Sequence, residues 1–106
     1  MKTIYFKIEN ENCEETGYVE IYDDGYMPDW YYWNYNTGYQ CQETIHHKKE
    51  EIGGLTEEQI EEIEEFKILV NNSYVDTILE FIFMADEDEF DELKIGELTI
   101  YVGDEF

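Results

Sequence analysis

Cys13, Cys41, His46 and His47 are the side chains that most invite a nucleophile-and-base reading. A thiol becomes a nucleophile when a base takes its proton and a donor stabilises the charge that develops. No flanking motif ties either cysteine to a histidine, and the chain has no Arg with which to hold an anionic substrate. Gly53-Gly54 precedes a helical pattern but lacks the Lys of a phosphate-binding loop. Acid–base work by carboxylates needs a pair with separated pKa values, and a surplus of carboxylates singles out no pair. The two cysteines form no CxxC and read as reduced thiols. Neighbouring residues on a strand point to opposite faces, so His46 and His47 make a poor chelate. The acidic run from Asp86 to Glu92 lacks the Gly that an EF-hand loop places sixth. These readings lead to no enzyme, no metal and no cofactor.

Carboxylates are the dominant chemistry. Among 106 residues, 28 are Asp or Glu and only six are Lys, giving a net charge of -22. The chain is nevertheless 42% hydrophobic and 17% aromatic, which an acidic disordered segment would not be. Nor does it economise on large apolar residues, as halophilic proteins usually do. Such a charge should repel nucleic acid and anionic membranes, and attract a basic protein surface over long range. No stretch approaches the roughly 20 apolar residues of a membrane span. Lys2 leads into an alternating segment and not an apolar run, so no secretory leader is expected and the cytoplasm is the expected compartment (the host cell's, if a phage encodes the chain).

The carboxylates cluster in three places. One is Glu9, Glu11, Glu14 and Glu15. A second is Glu57, Glu58, Glu61, Glu62, Glu64 and Glu65, relieved by Lys67. The third is Asp86, Glu87, Asp88 and Glu89, with Asp91 and Glu92 after Phe90. On a helix, Glu57/Glu61, Glu58/Glu62 and Glu61/Glu65 are like-charge pairs costing about 0.2–0.5 kcal/mol each. A sequence optimised only for helix stability would have Lys at some of these positions. Taken alone, the helix reads as a solvated face that keeps the protein soluble; the other two clusters are what move the reading toward a nucleic-acid mimic. A compact domain of this length has a radius of gyration of about 13 Å and spans about 35 Å. A DNA duplex that long carries roughly 20 charges, close to the chain's whole excess. Between Tyr26 and Tyr39, Trp30, Tyr31, Tyr32, Trp33 and Tyr35 put rings on both faces of a strand-like segment. That composition suits a protein interface, with Trp and Tyr as anchors.

Positioning these groups falls to an α+β domain spanning residues 1–106. Ile4, Phe6 and Ile8 alternate with Tyr5 and Lys7, and Val19 and Ile21 alternate with Tyr18 and Glu20, which predicts a β-hairpin over the first 22 residues. The polar run Asn10 to Glu15 is its loop. Segments 30–35 and 39–45, joined at Asn36-Thr37-Gly38, extend it into a four-stranded antiparallel meander. Thr56 and Gln59 form a capping box, flanked by a Leu55–Ile60 staple, and predict a helix over 57–70. Residues 74–84 carry both a helical stripe (Val75, Ile78, Leu79, Ile82, Phe83) and a strand-like alternation; the stripe and a Ser73–Asp76 cap favour helix. Asp86 to Glu92 reads as a connection or helix extension, and Leu98, Ile100 and Val102 as a last strand. The expected architecture is an antiparallel sheet with one or two helices packed on one face.

In size, charge and lack of a catalytic motif the chain resembles the small inhibitors that phages direct at host nucleases, including anti-CRISPR proteins and DNA mimics. The resemblance is one of composition and covers no aligned residues. It implies an inhibitor that occupies the basic nucleic-acid groove of a nuclease or CRISPR effector without itself binding nucleic acid or membrane. The partner-binding residues would be Glu57, Glu58, Glu61, Glu62, Glu65, Asp86, Glu87, Asp88 and Glu89, with Trp30, Tyr31, Trp33 and Tyr35 as anchors. Two other roles fit the same composition: an immunity protein neutralising a basic nuclease toxin, or an acidic structural or assembly protein.

Overall fold

A computed structural model describes residues 2–21 and 39–103. Strand β1 (Lys2–Glu9) pairs antiparallel with β2 (Cys13–Ile21), with Ile4 opposite Val19 and Ile8 opposite Glu15. The turn between them is shorter than the polar run suggests. The Asn10 side-chain carbonyl accepts from the backbone N–H of Asn12 at 2.9 Å and of Cys13 at 2.7 Å. This Asx turn closes the hairpin early, so Cys13, Glu14 and Glu15 belong to β2 and not to a loop.

β3 (Tyr39–His47) lies antiparallel against the other edge of β2 along its whole length, from Cys13 opposite His47 to Ile21 opposite Tyr39. This corrects the meander: with β1 and β3 on its two sides, β2 has no edge left for another strand. The expected strand 30–35 itself lies outside the described residues. After the helices come β4 (Asp91–Ile95) and β5 (Leu98–Gly103), and β5 pairs with β1. The five-stranded antiparallel sheet has the order β3-β2-β1-β5-β4.

Helix α1 (Glu57–Ile68) starts where the capping box places it. Thr56 Oγ1 accepts from the Gln59 N–H at 3.1 Å, and Gln59 Oε1 accepts from the Thr56 N–H at 3.0 Å. The helix then widens into a single π turn, Leu69–Ser73, in which the Tyr74 N–H donates to the Leu69 carbonyl at 2.9 Å. Helix α2 (Val75–Phe83) follows, so the helical stripe prevails over the strand pattern. It buries Ile78, Leu79, Ile82 and Phe83, whereas α1 buries only Phe66. These residues close over Ile4, Phe6, Ile8, Val19, Leu98, Ile100 and Val102 from the sheet. At about 25 cal/mol per Å² of apolar area buried, α2 is the helix that secures the layer.

The acidic run does not extend α2. Carboxylates are unfavourable at the negative end of a helix. The helix stops at Phe83, Glu89 closes a turn onto the Asp86 carbonyl at 3.1 Å, and Asp91 opens β4. Leu93 and Ile95 alternate inward from β4 against the core, a pattern hidden in the sequence by the charges around it. The molecule measures 45 × 26 × 26 Å with a radius of gyration of 14.1 Å. It is thus longer than the 35 Å expected of a compact sphere.

Candidate functional site

The sheet register makes Cys13 and His47 cross-strand partners, both buried. The geometry of this thiol–imidazole pairing does not suit catalysis. His47 Nδ1 accepts from the Lys49 N–H at 3.0 Å, and Nε2 lies 3.3 Å from Glu62 Oε2. With Nδ1 filled as an acceptor, Nε2 carries the proton and donates to the carboxylate. Neither nitrogen remains to take a proton from sulfur. Burial pushes the Cys13 thiol above its ordinary pKa, and the charge of Glu62 adds to the push against an opposing pull from Lys48. That is the environment of an inert structural thiol. His46, one residue along the strand, is exposed. Among the described residues no group of three or more His, Cys, Asp or Glu could hold a metal ion.

The carboxylates of α1 are arranged differently. At about 100° per residue, Glu57, Glu58, Glu61, Glu64 and Glu65 fall within an arc of about 120°, diametrically opposite the side that carries Phe66 and Ile63. All five are exposed. Lys67 offers the face its only ion pair among the described residues, at 3.5 Å from Glu64, with both side chains largely in water. Glu62 sits at the flank of the arc, next to Phe66, and is turned inward to His47. The sequence placed it with the partner-binding set; its contact makes it a tether between α1 and the end of β3. A 12-residue helix is about 18 Å long. Glu57 to Glu65 covers about 12 Å of that length, so the five carboxylates average one per about 3 Å of axis, against one phosphate per 3.4 Å in a strand of duplex DNA.

Asp86, Glu87, Asp88 and Glu89 are all exposed and lie on the connection into the edge strand β4. Helix α1 contacts β3 and β2, toward the other edge of the sheet. The fold therefore separates the two acidic groups. Trp30, Tyr31, Trp33 and Tyr35 lie outside the described residues.

The first acidic cluster is partly neutralised. Glu9 reaches Lys48 at 3.1 Å and Lys7 at 3.5 Å, and accepts from the Tyr101 hydroxyl at 3.1 Å. Glu14 lies 3.7 Å from Lys7. Lys48 also donates to the Asn10 carbonyl at 2.7 Å, tying the residue after β3 to the β1–β2 turn. This corner is built for stability.

A groove of about 540 Å³ opens between α2 and the β4–β5 hairpin. Phe81, Met84, Ala85, Leu93 and Val102 give it an apolar lining, and Glu80, Glu89 and Asp91 bring carboxylates to it. Sequence reasoning missed this site. Its traces were Phe81 on α2 and Met84 just past the helix end, apolar residues three apart but off the buried stripe.

The chain matches no family model, and no curated protein or solved structure matches it. No described helix is long and apolar enough to cross a membrane.

Proposed function

We propose that this domain is an inhibitor that binds the basic nucleic-acid-binding surface of a nuclease or related enzyme, in the manner of a DNA mimic or anti-CRISPR protein. The observation that carries the reading is the exposed arc of Glu57, Glu58, Glu61, Glu64 and Glu65, opposed by a single weak ion pair. Its linear charge density is that of a phosphate strand, and it stands on a helix whose buried contacts all lie on the other side. The overall charge of -22 supplies steering toward a positive groove.

The experiment is a displacement assay. The tagged domain captures its partner from the native host, and the partner is then loaded with labelled DNA or RNA. Added domain should release the nucleic acid while giving no mobility shift of its own. Association should slow steeply between about 50 and 500 mM salt. A flat salt profile, or direct binding of DNA by the domain, defeats the proposal.

A further inference from the structure

The groove between α2 and the β4–β5 hairpin combines two features the acidic helix face lacks: an apolar floor and converging negative charge. Phe81, Ala85, Leu93 and Val102 supply the floor, and Met84 is 68% exposed at its margin. Glu80 approaches from α2, Glu89 from the connection and Asp91 from the start of β4, and no lysine is among the lining residues. The C-terminal end of α2 sits here as well, where unpaired carbonyls give a helix a partial negative charge. Every charged side chain at the rim favours a cation, and the remaining polar one, Thr77, is neutral.

We infer that this groove seats a basic amphipathic segment of the partner protein, one or two large apolar side chains flanked by Lys or Arg. The inference rests on the proposed basic partner and adds to it a second, chemically distinct contact. Charge complementarity selects the occupant. Phosphates would meet three carboxylates and a helix C-terminus. A second copy of a chain carrying -22 would bring more negative charge to a negative rim. A volume of about 540 Å³ falls in the usual range for pockets that take small groups, enough for one or two side chains. Exposed methionine is adaptable and common on surfaces that accept varied apolar partners. Such an anchor would lengthen the lifetime of a complex whose formation the exposed carboxylates accelerate.

Three synthetic peptides of equal length test this against the isotope-labelled full chain, read by NMR and calorimetry. One carries a Leu-Phe pair between arginines, a second has Ser in place of the apolar pair, and a third flanks Leu-Phe with Glu. The amphipathic basic peptide should bind at least about tenfold more tightly than the Ser peptide, with shifts at Phe81, Met84 and Leu93. Met84→Ser, at an exposed position, and the double reversal Glu80→Lys with Glu89→Lys should each remove that advantage. The Ser peptide, shifting α1 signals alone, reports the proposed acidic face separately. Equal affinities with shifts confined to α1 overturn the groove and leave the proposed function standing. Groove binding without any response at α1 supports the groove and defeats the reading of the helix. Binding of the Glu-flanked peptide at equal strength overturns the basic chemistry. Self-association that Met84→Ser abolishes assigns the groove to a second copy and overturns the proposal.

Discussion

Glu62 on α1 holds the imidazole of His47 at 3.3 Å, and that ring is otherwise buried at the end of β3. Helix α1 buries only Phe66 completely, with Ile63 partly buried against the core, so this hydrogen bond adds to a thin apolar contact in fixing the helix to the sheet. Glu62→Ala should leave a buried N–H without its acceptor, at a cost of about 1–3 kcal/mol. Glu62→Gln keeps an acceptor oxygen and should cost less than about 1 kcal/mol. Urea denaturation of the two variants measures the difference. Equal losses would mean that side-chain packing, and not the hydrogen bond, is what Glu62 contributes.

Glu9 gives stability a pH dependence whose sign can be worked out. Burial alone would raise its pKa, but hydrogen bonding and charge from Lys48, charge from Lys7 and the Tyr101 hydroxyl outweigh it and hold the carboxyl below its usual value. A group whose pKa is depressed by folding stabilises the fold above the unfolded-state pKa and loses that contribution as pH falls through the folded value. Glu9→Gln should therefore cost about 1 kcal/mol at pH 7, and the gap to the parent protein should close in acid, once the pH has fallen through the depressed folded value. Paired thermal melts at pH 7 and in acid check this. A gap that persists in acid would assign the loss to packing.

The β4–β5 hairpin turns at Gly96 with φ +56°, a left-handed conformation that costs a residue with a Cβ roughly 1 kcal/mol. A Cβ there would also run into the Tyr74 hydroxyl. Gly96→Ala should destabilise the domain by about 2 kcal/mol, the sum of strain and contact. Combining it with Tyr74→Phe removes the nearest obstructing atom, the hydroxyl, and should recover part of the contact portion, since the ring carbon Cζ stays 2.9 Å from the new Cβ. Chemical denaturation of the single and double variants measures the hydroxyl's share, and strict additivity would show that the Tyr74 hydroxyl does not obstruct the turn.

Local chemistry made parts of this fold legible in the sequence. The alternation of Ile4, Phe6 and Ile8 and the Thr56–Gln59 capping box specify β1 and the start of α1 with no help from distant residues. What escaped was set by contacts distant in sequence. β3 pairs with β2 across the intervening residues, and β4 is a strand because Leu93 and Ile95 find the core, although acidic residues crowd its start. The site divides in the same way. Helical spacing alone places Glu57, Glu58, Glu61 and Glu65 on one exposed arc. The inward turn of Glu62 depends on where β3 puts His47, and the groove on where the hairpin meets α2.

The separation of Glu62 from its neighbours sets up the sharpest test of the acidic face. Glu57, Glu58, Glu61 and Glu65 are exposed, share an arc and have no ion pair among the described residues. Reversing Glu58, Glu61 and Glu65 to Lys while keeping Glu62 removes three negative charges and adds three positive ones without touching a buried contact. The reversal replaces the repulsive pairs Glu57/Glu61 and Glu61/Glu65, one by an attractive Glu–Lys pair and the other by a Lys–Lys pair. Glu58→Lys also turns the repulsion between positions 58 and 62 into an attraction. Each such exchange is worth only about 0.2–0.5 kcal/mol, so the melting temperature should stay level or rise slightly. Binding should respond very differently, because three positive side chains would now face a basic surface. Association with the partner should slow by at least about tenfold and lose most of its salt dependence. Adding Glu62→Lys to the set should then lower stability without much further loss of association. Measuring melting temperature and association rate for the triple and quadruple variants places Glu62 in the fold or in the interface. A triple variant that is as stable as the parent and binds as fast would reduce the α1 carboxylates to a solvated surface and move the interface elsewhere.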